Sequence, residues 1–165
     1  WVAHAQTGQI ELALSEDVAA LQEIIDTADL SGLEAQYLPA RDLLRIARHI
    51  VIARTNQSSG YLALAEAELQ KAVELQDAIP YMEPPYWYYP VRQTLGAVLL
   101  QQGKSAEAIE VFRQALEEQP RNAWALWGLT RAQEAVGDTV AAMATEAAFD
   151  RAWLGDPSLL ALERL

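Results

Sequence analysis

The chain has 165 residues, enough to hide roughly 70% of the surface its unfolded form would expose, so a core needs no covalent staples. Twelve Lys and Arg against twenty-three Asp and Glu leave a net charge of −11, which argues against nucleic acid and anionic membranes as partners, since both are bound through cationic side chains. The absence of Cys removes disulfides, thiolate nucleophiles and zinc–thiolate sites, and no run reaches the ~20 apolar residues of a membrane-spanning helix.

A cysteine-free composition suits the cytoplasm or the periplasm and fixes neither. Trp1, with no Met and no leader before it, reads as the cut edge of a longer protein. Thirty Ala and twenty-three Leu make up about a third of the residues, and β-branched residues are scattered. These are strong helix formers, so the predicted fold class is all-α.

Turn residues punctuate the chain regularly. Thr7-Gly8-Gln9 separates a short first piece from a helix over Ile10 to about Ala28, and Ser31-Gly32 is a break. Pro39 suits the first turn of a helix running to about Asn56; Ser58-Ser59-Gly60 turns the chain into a helix ending near Ala78. Pro80 to Trp87 is not helical, and Pro90 opens a helix that stops at Gly103. Ser105 to Gln119 follows, closed by Pro120. Asn122 is a good N-cap for a helix to Val136 with Gly137 beyond its end, and Thr139 to Trp153 comes next. Asp156-Pro157 starts a short last helix whose Leu159, Leu160 and Leu162 cover the final pair. Turns this short between helices of about fifteen residues imply antiparallel hairpins.

The segment 89–122 carries Leu95, Gly96, Leu99, Gly103, Ala108, Phe112, Ala115 and Pro120 at positions 7, 8, 11, 15, 20, 24, 27 and 32 of thirty-four. This pattern resembles the tetratricopeptide repeat, with Arg92 in place of the usual Trp at position 4. Small Gly96 and Ala108 let two helices approach, and Phe112 fills the gap between pairs. From Ala123 a second copy places Leu126, Leu129, Ala132 and Gly137 at positions 4, 7, 10 and 15; Phe149, Ala152 and Pro157 continue it if about three residues are inserted in its second helix. A weaker copy begins near Ile46, with Ile52-Ala53, Gly60, Ala65, Leu69 and Ala72 in register and Asn56 where a bulky residue belongs. A truncated copy lies around Gly8 and Ala13.

The expected organisation is one domain over 1–165: a truncated divergent repeat (1–38), a weak repeat (39–79), a Pro- and aromatic-rich insert (80–88), a strong repeat (89–122), a divergent repeat (123–156) and a capping helix (157–165). The resemblance implies a right-handed superhelical solenoid of antiparallel helix pairs. It also implies a role in docking proteins or peptides along a groove lined by positions 2, 5, 9, 12 and 13 of each repeat. Those positions fall on Pro90, Gln93, Ala97, Leu100 and Gln101, on Trp124, Trp127, Arg131, Glu134 and Ala135, and on Ala47, Ile50, Arg54, Gln57 and Ser58. The family's carboxylate clamp needs Lys at 5 and Asn at 9; Ile50 with Arg54, Gln93 with Ala97, and Trp127 with Arg131 do not match it, which disfavours a chaperone co-factor. The predicted partner-binding residues are Arg54, Gln57, Gln93, Trp124, Trp127 and Arg131. A protein or peptide with an acidic or carboxylate feature suits them, because guanidinium pairs with carboxylate and Trp supplies contact area. The competing reading packs both Trp against neighbouring helices and leaves Arg131 as a solvated charge.

The insert Pro80 to Pro90 holds four prolines and five aromatics in eleven residues and stretches the step between repeats to forty-three. Proline keeps it extended, and its rings must lie on protein. It serves either as packing over the seam between helix pairs or as a wall or lid of a pocket; with Glu83, Tyr86, Trp87, Tyr88 and Arg92 it forms a second candidate site. Its run from Pro85 to Gln93 also resembles a segment of bacterial repeat proteins, which suggests a source and supplies no activity.

No catalytic, metal or cofactor site is expected. His4 and His49 lie in different repeats, with His49 a helix-packing side chain, and no phosphate-binding glycine loop occurs. Arg41, Arg45 and Arg48 are expected to face water. An alternative function is an accessory region of a longer enzyme or sensor whose chemistry lies upstream. A further possibility is a homo-oligomer formed by stacking of the truncated ends.

Overall fold

A computed structural model of the chain describes residues 16–165. The expectations for Trp1, His4, Gly8, the helix start at Ile10 and Ala13 lie outside the described residues. Within them every regular element is helical: α1 (Val18–Thr27), α2 (Ser31–Glu34), α3 (Ala40–Ser58), α4 (Leu62–Ala78), α5 (Val91–Gln101), α6 (Ser105–Glu118), α7 (Ala123–Ala135) and α8 (Thr139–Ala152), then two 3-10 turns, Pro157–Leu159 and Leu162–Arg164. The chain divides into two compact units, one up to Val91 and one from Arg92 to Leu165.

In the first unit α3 packs against both α1 and α4. Leu21 of α1 meets Ala47 and Val51 of α3, with Val18, Leu44 and Trp87 around them. On α4 the buried residues are Ala65, Leu69 and Ala72, one face at spacings of four and three. Ser31-Gly32 is not a break but the start of α2. The Asp29 carboxylate accepts from the Ser31 amide at 3.1 Å and its hydroxyl at 2.6 Å, which sets up a turn there. Arg41 does not simply face water either: its guanidinium donates to the Ile25 carbonyl at the end of α1 and lies 3.8 Å from Glu34. Arg45 is exposed beside Asp42, as expected.

In the second unit α7 packs against α6 and α8. Phe112, Ala108 and Ala115 of α6 are wholly buried, forty-three residues on from Leu69, Ala65 and Ala72, which are wholly buried too. Each trio puts a large side chain between two Ala one turn away, so the ring fills a seam that small neighbours leave open. Gly96 of α5 and Gly128 of α7 form the walls of that seam. A Cβ on Gly96 would lie 2.6 Å from Phe112 Cζ, and one on Gly128 would overlap the same ring edge.

The hairpin turns repeat as closely. Gly60, Gly103 and Gly137 have φ of 80°, 76° and 80°, a region that costs Gly nothing. At each, the amide after the glycine bonds five residues back (Tyr61 to Asn56, Lys104 to Leu99, Asp138 to Gln133) and the glycine amide bonds three back, which ends the helix in a Schellman motif. Asn122 Oδ1 accepts from the Ala125 amide and Asp138 Oδ1 from the Ala141 amide, so both helices of the last hairpin are side-chain capped.

α8 begins and ends thirty-four residues after α6, so the expected insertion in the second helix of that repeat does not exist. Buried Ala142 takes the place of Ala108, and exposed Glu146 that of Phe112. Residues 157–165 do not form a helix. Leu160 (ψ 106°) and Ala161 (φ −152°, ψ 144°) are extended and separate two single turns. Leu159 is exposed, and the buried residue of this stretch is Leu165.

His49 Nδ1 lies 2.7 Å from Glu68 Oε2, joining α3 to α4, and Lys71 Nζ donates to the other Glu68 oxygen at 2.6 Å. Partial burial pushes the Glu68 carboxyl up, but the bonds from Lys71 and His49 outweigh it and hold the group below its usual 4.5.

Two predictions follow from these contacts. Ala in place of an open helical Gly stabilises by about 1 kcal/mol, yet here the ring cannot yield because the opposite glycine wall blocks it. Gly96→Ala and Gly128→Ala are each expected to lower stability by about 1–2 kcal/mol net of overpacking, and Phe112→Ala by about 3–5 kcal/mol, read by urea unfolding. Because the folded Glu68 pKa is depressed, its contribution is complete above pH ~4.5 and is lost as pH falls through the folded value. The melting-temperature gap between wild type and Glu68→Gln is therefore expected to be widest near neutrality and to close in acid; a gap unchanged at pH 3 contradicts the assignment.

Candidate functional site

The predicted partner-binding residues fall into two groups. In the first unit, Arg54 and Gln57 come together on the last turns of α3, where Arg54 Nη1 donates to Gln57 Oε1 at 3.0 Å. Arg54 is only 6% exposed, so it is part of the interior rather than an open groove surface. Desolvation lowers its pKa, partly countered by the nearby Tyr89 phenol. The insert supplies that Tyr.

The insert is anchored at some rings and open at others. Trp87 packs on the Leu21–Ala47–Val51 cluster, and the Tyr86 hydroxyl donates to the Tyr37 carbonyl at 2.6 Å. Tyr89 lies between Trp87 (6.0 Å between centroids) and Tyr88 (5.1 Å, edge-on). Gln76 of α4 holds the backbone where the insert ends: its Oε1 accepts from the Val91 amide at 2.8 Å and its Nε2 donates to the Tyr89 carbonyl at 3.5 Å. Glu83 accepts from the Tyr81 hydroxyl at 2.5 Å and precedes a cis bond to Pro84. Tyr81, Tyr88 and Tyr37 remain more than four-fifths, or close to it, in solvent. Of the second candidate group, then, Tyr86 and Trp87 are anchors, whereas Tyr88 is displayed. Arg92 belongs to the second unit, where it bonds Gln114 and Glu118 of α6.

Within the second unit, Gln93 is buried and its Oε1 accepts from Asn122 Nδ2 at 3.0 Å, so the residue that caps α7 also fixes α5 against it. Trp124, Trp127 and Arg131 follow one another along α7 at spacings of three and four, which is one helix face. Trp124 meets Trp153 edge-on at 4.9 Å, and Trp153 stacks on Phe149 at 5.7 Å. Gly155 accommodates the Trp153 ring, which a Cβ there would crowd at 2.7 Å. The Arg131 guanidinium sits 6.0 Å from the Trp127 ring centre, a cation–π distance. It also lies 3.1 Å from Glu134 and 3.9 Å from Glu146, with the Arg side chain 39% exposed. Arg131 is thus half-open and half-neutralised by its own helices.

Sequence reasoning missed several of these participants. Trp153 stood only as a helix end, and Gln76 and Glu146 read as ordinary polar residues at helical positions. Thr94, whose hydroxyl donates to the main-chain oxygen of Leu165 at 2.6 Å, gave no signal at all, because its partner lies seventy-one residues away. Among the described residues no three His, Cys, Asp or Glu side chains gather closely enough to hold a metal ion, and no helix is long and apolar enough to cross a membrane.

No curated protein and no solved structure matches the chain. The family model described as tetratricopeptide repeat matches residues 99–152, from the last turn of α5 to the last residue of α8. That stretch contains Phe112 and the Gly128 wall of its seam, two of the three glycine turns and the thirty-four-residue step from α6 to α8. On these features residues 99–152 are a tetratricopeptide-repeat segment.

Proposed function

We propose that the chain is a docking scaffold for proteins or peptides, with no catalytic chemistry of its own, and that the α7 face of Trp124, Trp127 and Arg131 receives an acidic or carboxylate-bearing segment. The repeat supports the general role, since tetratricopeptide repeats serve as protein-interaction scaffolds. The observation that carries the particular site is the half-exposed Arg131 guanidinium poised beside the Trp127 ring.

A planar cation over an apolar ring offers a partner both a carboxylate fork and contact area, the pairing that dominates binding energy at protein interfaces. Glu134 and Glu146 are themselves about half-exposed, and such surface pairs are worth only about 0–1 kcal/mol. A partner carboxylate can therefore replace them at little cost. Trp124 is partly engaged with Trp153, so Trp127 and Arg131 are the residues left to meet a partner.

A peptide library rich in Asp and Glu, presented to wild type, Trp127→Ala and Arg131→Glu, tests the reading. Each variant is expected to bind the selected peptides at least about tenfold more weakly, a loss of about 1.4 kcal/mol, with unchanged helix content by circular dichroism. Peptides held equally well by the wild type and both variants would overturn it.

A further inference from the structure

The α5 face holds a single 3-10 turn of the chain's own backbone, Leu162–Arg164, and the leucine after it. Thr94 and Gln101, two turns apart on one side of α5, both reach residues 163–165. The Thr94 hydroxyl donates to the Leu165 main-chain oxygen at 2.6 Å, and Gln101 Nε2 donates to the Glu163 carboxylate at 3.2 Å. Leu165 is completely buried, as is Ala97, which lies between the two polar contacts along α5, and Thr94 is 1% exposed. The stretch reaches this seat through extended Leu160 and Ala161.

The attachment includes the elements of a peptide complex: a wholly buried anchoring leucine, a buried bond from a side chain to peptide backbone, and a rim bond to a carboxylate. A buried Thr hydroxyl bonded to a main-chain oxygen is indifferent to which chain supplies that oxygen. The Gln101–Glu163 bond is exposed and therefore exchangeable.

We infer that residues 159–165 are an intramolecular ligand of the α5 face. The partner this face takes is a leucine-rich segment that closes in a single turn, with a carboxylate two residues ahead of its anchoring leucine, and such a partner binds by displacing the chain's own copy. The inference rests on the docking reading of this unit and adds both the partner's chemistry and a built-in competitor. Because the resident segment is tethered, its effective concentration is high, and a free peptide meets a weakened apparent affinity until the tether is loosened.

The test uses the full chain and a fluorescent synthetic peptide with the sequence of residues 157–165. Leu165→Ala, which empties the anchor seat, is expected to bind the peptide at least about tenfold more tightly than wild type by fluorescence anisotropy. Adding Thr94→Val to it should return binding to the wild-type level. In wild type, which needs no substitution, excess peptide should accelerate amide hydrogen exchange across residues 160–165. No binding to folded Leu165→Ala together with unchanged exchange in wild type would overturn the inference and make the segment a fixed cap. If that happens while library peptides still depend on Arg131, the docking reading stands; loss of both removes both.

Discussion

Phe112 lies in a seam that exists only because α5 and α7 each present a glycine to its ring. A wholly buried aromatic side chain is worth about 1.5–3 kcal/mol in area alone, but its larger effect here is geometric. With glycine on both walls, three helices approach one ring closely, and the interior has no slack for a different arrangement. The Asn122 bond to Gln93 ties the same two helices, α5 and α7, together a second time.

The same seam in the first unit uses Leu69 between Ala65 and Ala72, and the third copy has Glu146 at the equivalent place. Equivalent positions thus carry an aliphatic branch, an aromatic ring and a carboxylate in the alternate helices α4, α6 and α8. The first two are buried and build interior. The carboxylate is exposed and turns toward Arg131, so a place that elsewhere packs helices here tunes the charge of the α7 face. Packing and surface charge share one lattice of positions, and residue type decides which a given position serves.

That lattice was readable in the residues themselves. Helix termini at Gly60, Gly103, Asn122 and Gly137, and the Ala–large–Ala faces of α4 and α6, depend on local backbone and on spacing, both written in consecutive residues. What escaped depends on tertiary partners. The insertion expected in α8 arose from taking Phe149 as the counterpart of Phe112, because an aromatic ring is the more natural occupant of a buried place; the counterpart is Glu146, and no residues are added. Residues 157–165 have a capping Asp and a Pro that favour a helix start, yet they form only two single turns with extended Leu160 and Ala161 between them, and the last residues meet α5. The candidate surface was legible as residue types on α7. The carboxylates around Arg131 and the burial of Arg54 and Gln93 were not, since each is set by a neighbour on another helix or loop.

Gln76 gives the insert a character that its composition conceals. One amide grips the backbone on both sides of Pro90, while Trp87 is sunk among the α1 and α3 side chains. The main chain there is pinned, and the exposed phenol of Tyr88 is a pendant group upon it, with those of Tyr81 and Tyr37 also open to solvent. Whatever meets the Tyr88 phenol encounters rotamer motion on a pinned frame, a quick and shallow adjustment, rather than the slow swing of a loop on hinges.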